Sequence, residues 1–132
     1  MNSLQLQELL RAAQNAAKAA YNPYSKFSVG CAILTKTGKV FCGCNVENAS
    51  YSVTICAERV AGTQAILFGE REWDSMVVVS PNGVSPCGVC RQFINEFAPD
   101  LRVWTGYLDQ DILSGPETLG QLLPKAMTLS RN

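Results

Sequence analysis

Leu6, Leu9, Leu10, Ala13, Ala17 and Ala20 recur at intervals of three and four, which predicts an amphipathic helix. Ser3 suits its N-cap, and the pattern stops before Asn22-Pro23. The period then changes to two: Phe27, Val29, Cys31 and Ile33 alternate with smaller residues, Thr35 to Lys39 reads as a turn, and Val40 to Val46 as the returning strand of a hairpin. In that second strand Val40, Cys42, Cys44 and Val46 share one face, so Phe41, Gly43, Asn45 and Glu47 share the other.

A second helix is predicted from Thr54 to Phe68, stopped by Gly69, followed by a short strand from Met76 to Ser80 that is apolar throughout and so buried on both faces. Ser85 reads as an N-cap and Pro86 as the first residue of a third helix running to Phe97. A strand follows at Leu101 to Thr105, then a last short strand beginning at Tyr107-Leu108 and a short helix from Thr118 to Leu123. The order α-β-β-α-β-α-β with a short tail predicts a central sheet covered by helices, opening with an antiparallel hairpin and continuing through helical crossovers. With 132 residues, 47% of them apolar, and no linker or repeat, the chain reads as a single domain over 1–132.

Charge narrows the partners. Eleven basic and eleven acidic residues cancel, and neither sign forms a block, which disfavours a polynucleotide and favours a small, near-neutral substrate. The N-terminal segment lacks the apolar stretch of a signal peptide and no run approaches membrane-spanning length, so a cytoplasmic protein is expected. Six cysteines in such a chain are better read as free thiols or metal ligands than as disulfides. Cys31, Cys42 and Cys44 fall on strands and read as small buried hydrophobes.

There is no histidine, which removes the commonest general base and the commonest neutral zinc ligand together. A metal must then be held by thiolate or carboxylate. Cys56, with Cys87 and Cys90 in Pro86-Cys87-Gly88-Val89-Cys90, supplies three thiolates at predicted helix starts, where the dipole favours the ionised sulfur. Three protein ligands leave tetrahedral zinc one open position, the mark of a catalytic rather than a structural site. Glu58, two residues after Cys56, is the candidate proton carrier; read alone it would be an ordinary helix-start glutamate.

These stretches resemble the cytidine deaminases, specifically the small homotetrameric zinc-dependent class. The likeness runs from about Tyr21 to Pro124 through Tyr24-Ser25-Lys26-Phe27-Ser28-Val29-Gly30, Asn45-Val46-Glu47-Asn48-Ala49-Ser50-Tyr51, Cys56-Ala57-Glu58-Arg59, Pro86-Cys87-Gly88-Val89-Cys90-Arg91-Gln92 and Glu117 to Pro124. The resemblance implies a three-layer α/β/α sandwich with a five-stranded mixed sheet, and one zinc ion per chain on Cys56, Cys87 and Cys90. The implied activity is hydrolytic deamination of cytidine and 2′-deoxycytidine in pyrimidine salvage, with Glu58 moving the protons. It assigns Asn45 and Glu47 to the sugar 3′-hydroxyl, Phe27 to a wall of the base pocket, the Ala57 N–H and the Ser85 carbonyl to the base, and Tyr51 to the sugar in a neighbouring subunit's site. Arg59 and Arg91 are implied as donors to zinc-bound sulfur, offsetting the excess charge of three thiolates. Many members carry a phenylalanine after the Leu-Leu-Pro segment that stacks on a base bound in another subunit; Met127 stands at the corresponding place.

Other readings remain open from the sequence. For Phe27 one is a plain core aromatic, and for each arginine an ordinary surface side chain. For the whole protein they are deamination of a cytosine-containing antibiotic such as blasticidin S, editing of a polynucleotide, and a non-catalytic zinc-stabilised binding module. Glu47 within Asn-x-Glu-Asn-Ala favours a plain ribose, and retention of Glu58 disfavours the binding module.

Overall fold

A computed structural model describes residues 1–131. One five-stranded sheet, built from β1 (Gly30–Thr35), β2 (Val40–Cys44), β3 (Trp73–Ser80), β4 (Arg102–Tyr107) and β5 (Leu113–Thr118), has the order β2-β1-β3-β4-β5. The pair β3/β4 is parallel and the other three pairs are antiparallel, which is the mixed sheet expected. Helices α1 (Ser3–Ala17), α2 (Ala57–Leu67), α3 (Gly88–Asn95) and α4 (Leu119–Leu122) complete the chain. No helix among the described residues is long and apolar enough to cross a membrane.

The period-two pattern explains how two layers of helix find one sheet. Along β1 and β3, Ala32, Val77 and Val79 point to one side and pack with Leu9, Leu10, Ala13 and Ala17 of α1 and with Trp104. Cys31, Ile33, Met76 and Val78 point to the other and pack with Ala57, Ala61 and Ala65 of α2 and Cys90 and Ile94 of α3. Every residue of β3 from Ser75 to Ser80 is buried, as a central strand covered on both faces requires. Behind α3, Phe93 and Phe97 stack on Trp73, with centroids at 6.4 and 5.2 Å, and close the far end of this second core.

Several element ends differ from the sequence reading, each for a local reason. The cap of α1 is Asn2, not Ser3: its Oδ1 accepts from the Gln5 N–H at 2.8 Å, and Gln5 Oε1 accepts from the Asn2 N–H at 3.0 Å, a reciprocal capping box. α1 stops at Ala17 instead of reaching Ala20, since the Tyr21 N–H and carbonyl are taken by Asn45 and Glu47. β2 ends at Cys44, and α2 begins at Ala57 rather than Thr54, because Val46 and Ile55 exchange both backbone hydrogen bonds in an isolated bridge at 2.9 Å. α3 is capped by Cys87, not Ser85, and Pro86 precedes the helix; the Cys87 carbonyl accepts the first helical bond from the Arg91 N–H, and the Pro86 carbonyl accepts from Arg91 Nε at 2.7 Å.

The largest difference is β5. Tyr107 closes β4, and the last strand lies six residues further on, across Ser114-Gly115-Pro116-Glu117, whose turn-forming composition hides it. Pro116 is tolerated because β5 is an edge strand with only one partner.

Candidate active site and metal centre

Two helices begin at the same place. Cys56 is the N-cap of α2 and Cys87 that of α3, and neither thiol makes a capping hydrogen bond, so both are left to face the gap between the helix starts. Cys90, in the first turn of α3, is fully buried on the same gap. The three Sγ atoms lie within 4.8 Å of one another, with Cys56 and Cys87 at 3.9 Å. Zinc–thiolate bonds of about 2.3 Å at tetrahedral angles set adjacent sulfurs about 3.8 Å apart. The donor set therefore fits one zinc ion.

The electrostatics favour a charged sulfur cluster. Cys56 is held down to about 5, chiefly by a hydrogen bond from Cys90 and then by Arg59 and Cys87. The same Cys56 contact, with burial, pushes Cys90 strongly upward, as expected where neighbouring thiols share a proton. A terminal nitrogen of Arg59 donates to Cys56 Sγ at 3.6 Å and contacts the Thr54 carbonyl at 3.4 Å, while its Nε is buried without a partner. Arg59 thus reaches sulfur. Arg91 does not: its three nitrogens go to the Pro86 carbonyl, the Leu122 carbonyl and the Ser85 hydroxyl, so the expected Arg91–sulfur contact is replaced by oxygen acceptors.

Glu58 is only 4% exposed, at the second position of α2. Burial is the main reason its carboxyl is pushed up to about 7; the Cys56 charge adds to it, while the Glu58 backbone N–H and Arg59 oppose it. No other residue hydrogen-bonds this carboxylate among those described, and it lines a cavity of about 380 Å³ shared with Cys56 and Cys87. The cavity also brings together Phe27, Asn45, Glu47, Tyr51, Ala57 and Ser85, all six of the residues expected around a substrate. A cavity of this size suits a small ligand.

The two polar residues of the second strand are held differently from each other. Asn45, 7% exposed, accepts from the Val29 N–H at 2.9 Å and donates to the Phe27 carbonyl at 2.8 Å, so its amide ties down the Phe27–Val29 segment. Glu47 Oε1 accepts from the Tyr24 and Ser25 N–H groups at 3.0 and 3.1 Å, and the Ser25 hydroxyl with these N–H groups holds its carboxyl below the usual range. Tyr51 is 86% exposed at the rim. Met127 is also exposed and lies outside the cavity lining.

Sequence reasoning missed Ser25, Val29, Thr54, Val78 and Val84 as lining residues. Val78 was legible as the β3 residue on the metal-facing side. Thr54 and Val84 lie outside the regular elements, where no periodicity marks a direction.

A buried carboxylate beside three thiolates at paired helix starts, on a sheet of this order, is the arrangement of the zinc-dependent nucleobase and nucleoside deaminases. Residues 3–105 match the family model described as the cytidine and deoxycytidylate deaminase zinc-binding region, and the chain belongs to that family. It is 45% identical to a cytidine deaminase of Halalkalibacterium halodurans, over 92% of this chain and 93% of that one. It is 41% identical to a cytidine deaminase of Sporosarcina psychrophila over 95% and 93% of the two chains. The crystal structure of cytidine deaminase from Burkholderia pseudomallei superposes with a TM-score of 0.85 at 41% identity, covering 96% of this chain and all of that one.

Proposed function

We propose that this protein hydrolyses the exocyclic amine of cytidine and 2′-deoxycytidine, yielding uridine or 2′-deoxyuridine and ammonia. The observation that carries this reading is the buried Glu58 carboxylate, without a side-chain partner, in the same cavity as the three-sulfur cluster. Zinc on Cys56, Cys87 and Cys90 would supply the Lewis acid that makes water nucleophilic near neutral pH. Glu58 accepts a proton from the attacking water and hands it to N3 of the pyrimidine as C4 is attacked; it then takes the second proton from the new C4 hydroxyl and gives it to the amine, which departs as ammonia while the C4 carbonyl forms. With no histidine in the chain, one carboxylate serves every transfer.

The cavity walls support the nucleoside. Phe27 lies against the base, and the Ala57 N–H and Ser85 carbonyl bond its edge; Asn45 and Glu47 receive the sugar 3′-hydroxyl. Glu47 suits this role because two backbone N–H groups fix one oxygen and keep the carboxylate ionised, an acceptor for a hydroxyl. Arg59 stabilises the thiolate cluster from behind. Tyr51 and Val84 of the cavity lining are exposed, as are Val53, Ile55 and Val89 beside site residues in the sequence, apolar surface that fits a homotetramer in which Tyr51 and Met127 reach neighbouring sites. The protein then works as a cytoplasmic enzyme of pyrimidine salvage, with all of residues 1–132 in one catalytic domain.

The test is the ultraviolet absorbance change of cytidine and 2′-deoxycytidine incubated with zinc-loaded protein, with blasticidin S and a cytosine-containing oligonucleotide in parallel. Rapid loss of the cytidine absorbance with neither parallel substrate consumed is the expected result. Turnover of blasticidin S alone would replace the substrate, and zinc-loaded protein inert towards all four would return the site to a binding module.

A further inference from the structure

Two consecutive residues of α3 that are not metal ligands reach across to the C-terminal part of the chain. Arg91 Nε donates to the Pro86 carbonyl at 2.7 Å, Nη1 to the Leu122 carbonyl at 2.7 Å and Nη2 to the Ser85 hydroxyl at 3.1 Å. The next residue, Gln92, donates from Nε2 to the Met127 carbonyl at 3.0 Å. Both carbonyls bound by Arg91 stand at helix borders, where helical N–H groups leave acceptors free: Pro86 precedes the Cys87 cap, and Leu122 is the last residue of α4. Hydrogen bonds from a charged donor are roughly twice as strong as neutral ones, and the planar fork of a guanidinium can meet three acceptors in fixed directions.

We propose that Arg91 is a positioning residue, whose guanidinium locks the Ser85–Cys87 segment to the end of α4 so that one wall of the active-site cavity and the chain leading to Met127 are held together. Ser85 and Cys87 both line the cavity, and Arg91 bonds Ser85 and the Pro86 that joins them. The division of labour between the two arginines follows: Arg59 acts on the sulfur cluster, and Arg91 acts on the shape of the pocket beside it. Gln92 continues the same connection five residues beyond the helix end.

The kinetic part of the test rests on the proposed reaction, and the exchange part does not. Hydrogen–deuterium exchange of the zinc-loaded full chain should quicken in Arg91→Gln at two separate places, residues 84–88 and residues 119–127, with α1 unchanged. Zinc content should remain one per chain, and KM for cytidine should rise by about tenfold with kcat within about threefold, the pattern of lost ground-state positioning. Arg91→Lys should show the same pattern to a smaller degree, since one ammonium cannot serve acceptors on both segments, and it carries the test if Arg91→Gln does not fold. Exchange that quickens uniformly, or at only one of the two segments, would overturn the proposal. So would a fall in kcat at constant KM together with a shifted thiolate-to-metal absorption in the cobalt-substituted protein, which would return Arg91 to the sulfurs. If the wild-type chain does not turn over cytidine, the reaction is lost and the exchange result alone decides the role of Arg91.

Discussion

On one side of the sheet Leu9, Leu10, Ala13 and Ala17 meet Ala32, Val77, Val79 and Trp104, an apolar core with the lone half-buried thiol of Cys42 packed against it. On the other, Cys31, Ile33, Met76 and Val78 meet helices whose first turns bury Glu58 and Cys90 and set Cys56 and Cys87 at the edge. The same strands supply both faces. An unpaired carboxylate buried in a protein is costly, several kcal/mol in general terms. The α1 side, and within the second core the Trp73–Phe93–Phe97 cluster at its far end, supply apolar packing that offsets the unfavourable arrangement at the helix starts.

The sharpest way to break this comparison is to neutralise the carboxylate. Glu58→Gln should lower turnover by about 10²–10⁴-fold. Its melting temperature should be unchanged or higher, because an amide is easier to bury than a carboxylate. A variant that keeps zinc and near-normal turnover would remove Glu58 from the reaction, and a clear loss of stability would contradict the account of the two faces.

Cys87→Ala should lose zinc and activity together while keeping the fold, since this thiol is exposed and contributes nothing to the core. Metal analysis and circular dichroism separate the two effects. Full zinc occupancy in this variant would sink the ligand assignment.

Two glycines offer a milder, paired test. A Cβ at Gly30 would stand 2.0 Å from the Ala13 carbonyl oxygen of α1, and one at Gly43 would stand 2.4 Å from the Ala57 carbonyl oxygen and 2.4 Å from the Ala61 nitrogen of α2. Both contacts are backbone, so the helix must move. Gly30→Ala and Gly43→Ala should each cost about 1–3 kcal/mol or more by denaturant unfolding. Only Gly43→Ala should also reduce kcat of the folded enzyme, because the displaced turn of α2 carries Glu58. Equal kcat in the two variants would mean that the site tolerates movement of its helix.

The smallest effect is expected at the rim. Met127→Phe should tighten nucleoside binding by about 0.5–1 kcal/mol if an aromatic ring stacks on substrate in a neighbouring subunit's site. Light scattering of the same protein tests the premise: a fully active monomer would remove the shared site and any role for Met127.

Much of the fold was legible where periodicity was strong. α1, the β1–β2 hairpin and β3 follow from apolar spacing, while Asn45 and Glu47, just beyond the end of β2, line the cavity with Phe27. What spacing could not show is what those polar atoms bond. Asn45 is occupied by the backbone of Phe27 and Val29, and Glu47 by that of Tyr24 and Ser25, partners that share neither its strand nor a periodic position. β5 escaped for the opposite reason: its pairing with β4 overrides a local composition that favours a turn.

By itself the sequence determined the available chemistry: three cysteines near helix starts, a carboxylate two residues from one of them, and no histidine to share the work. Residue types and short-range period are local properties, carried in the chain whatever its fold. The tertiary structure alone decided that Cys56 and Cys87, 31 residues apart, place their sulfurs at 3.9 Å, that Glu58 loses its water, and that Arg59 meets sulfur where Arg91 meets carbonyls. These are long-range outcomes, set when the hydrophobic faces of two helices settle on one side of a sheet, and distance and burial exist only after that packing is complete.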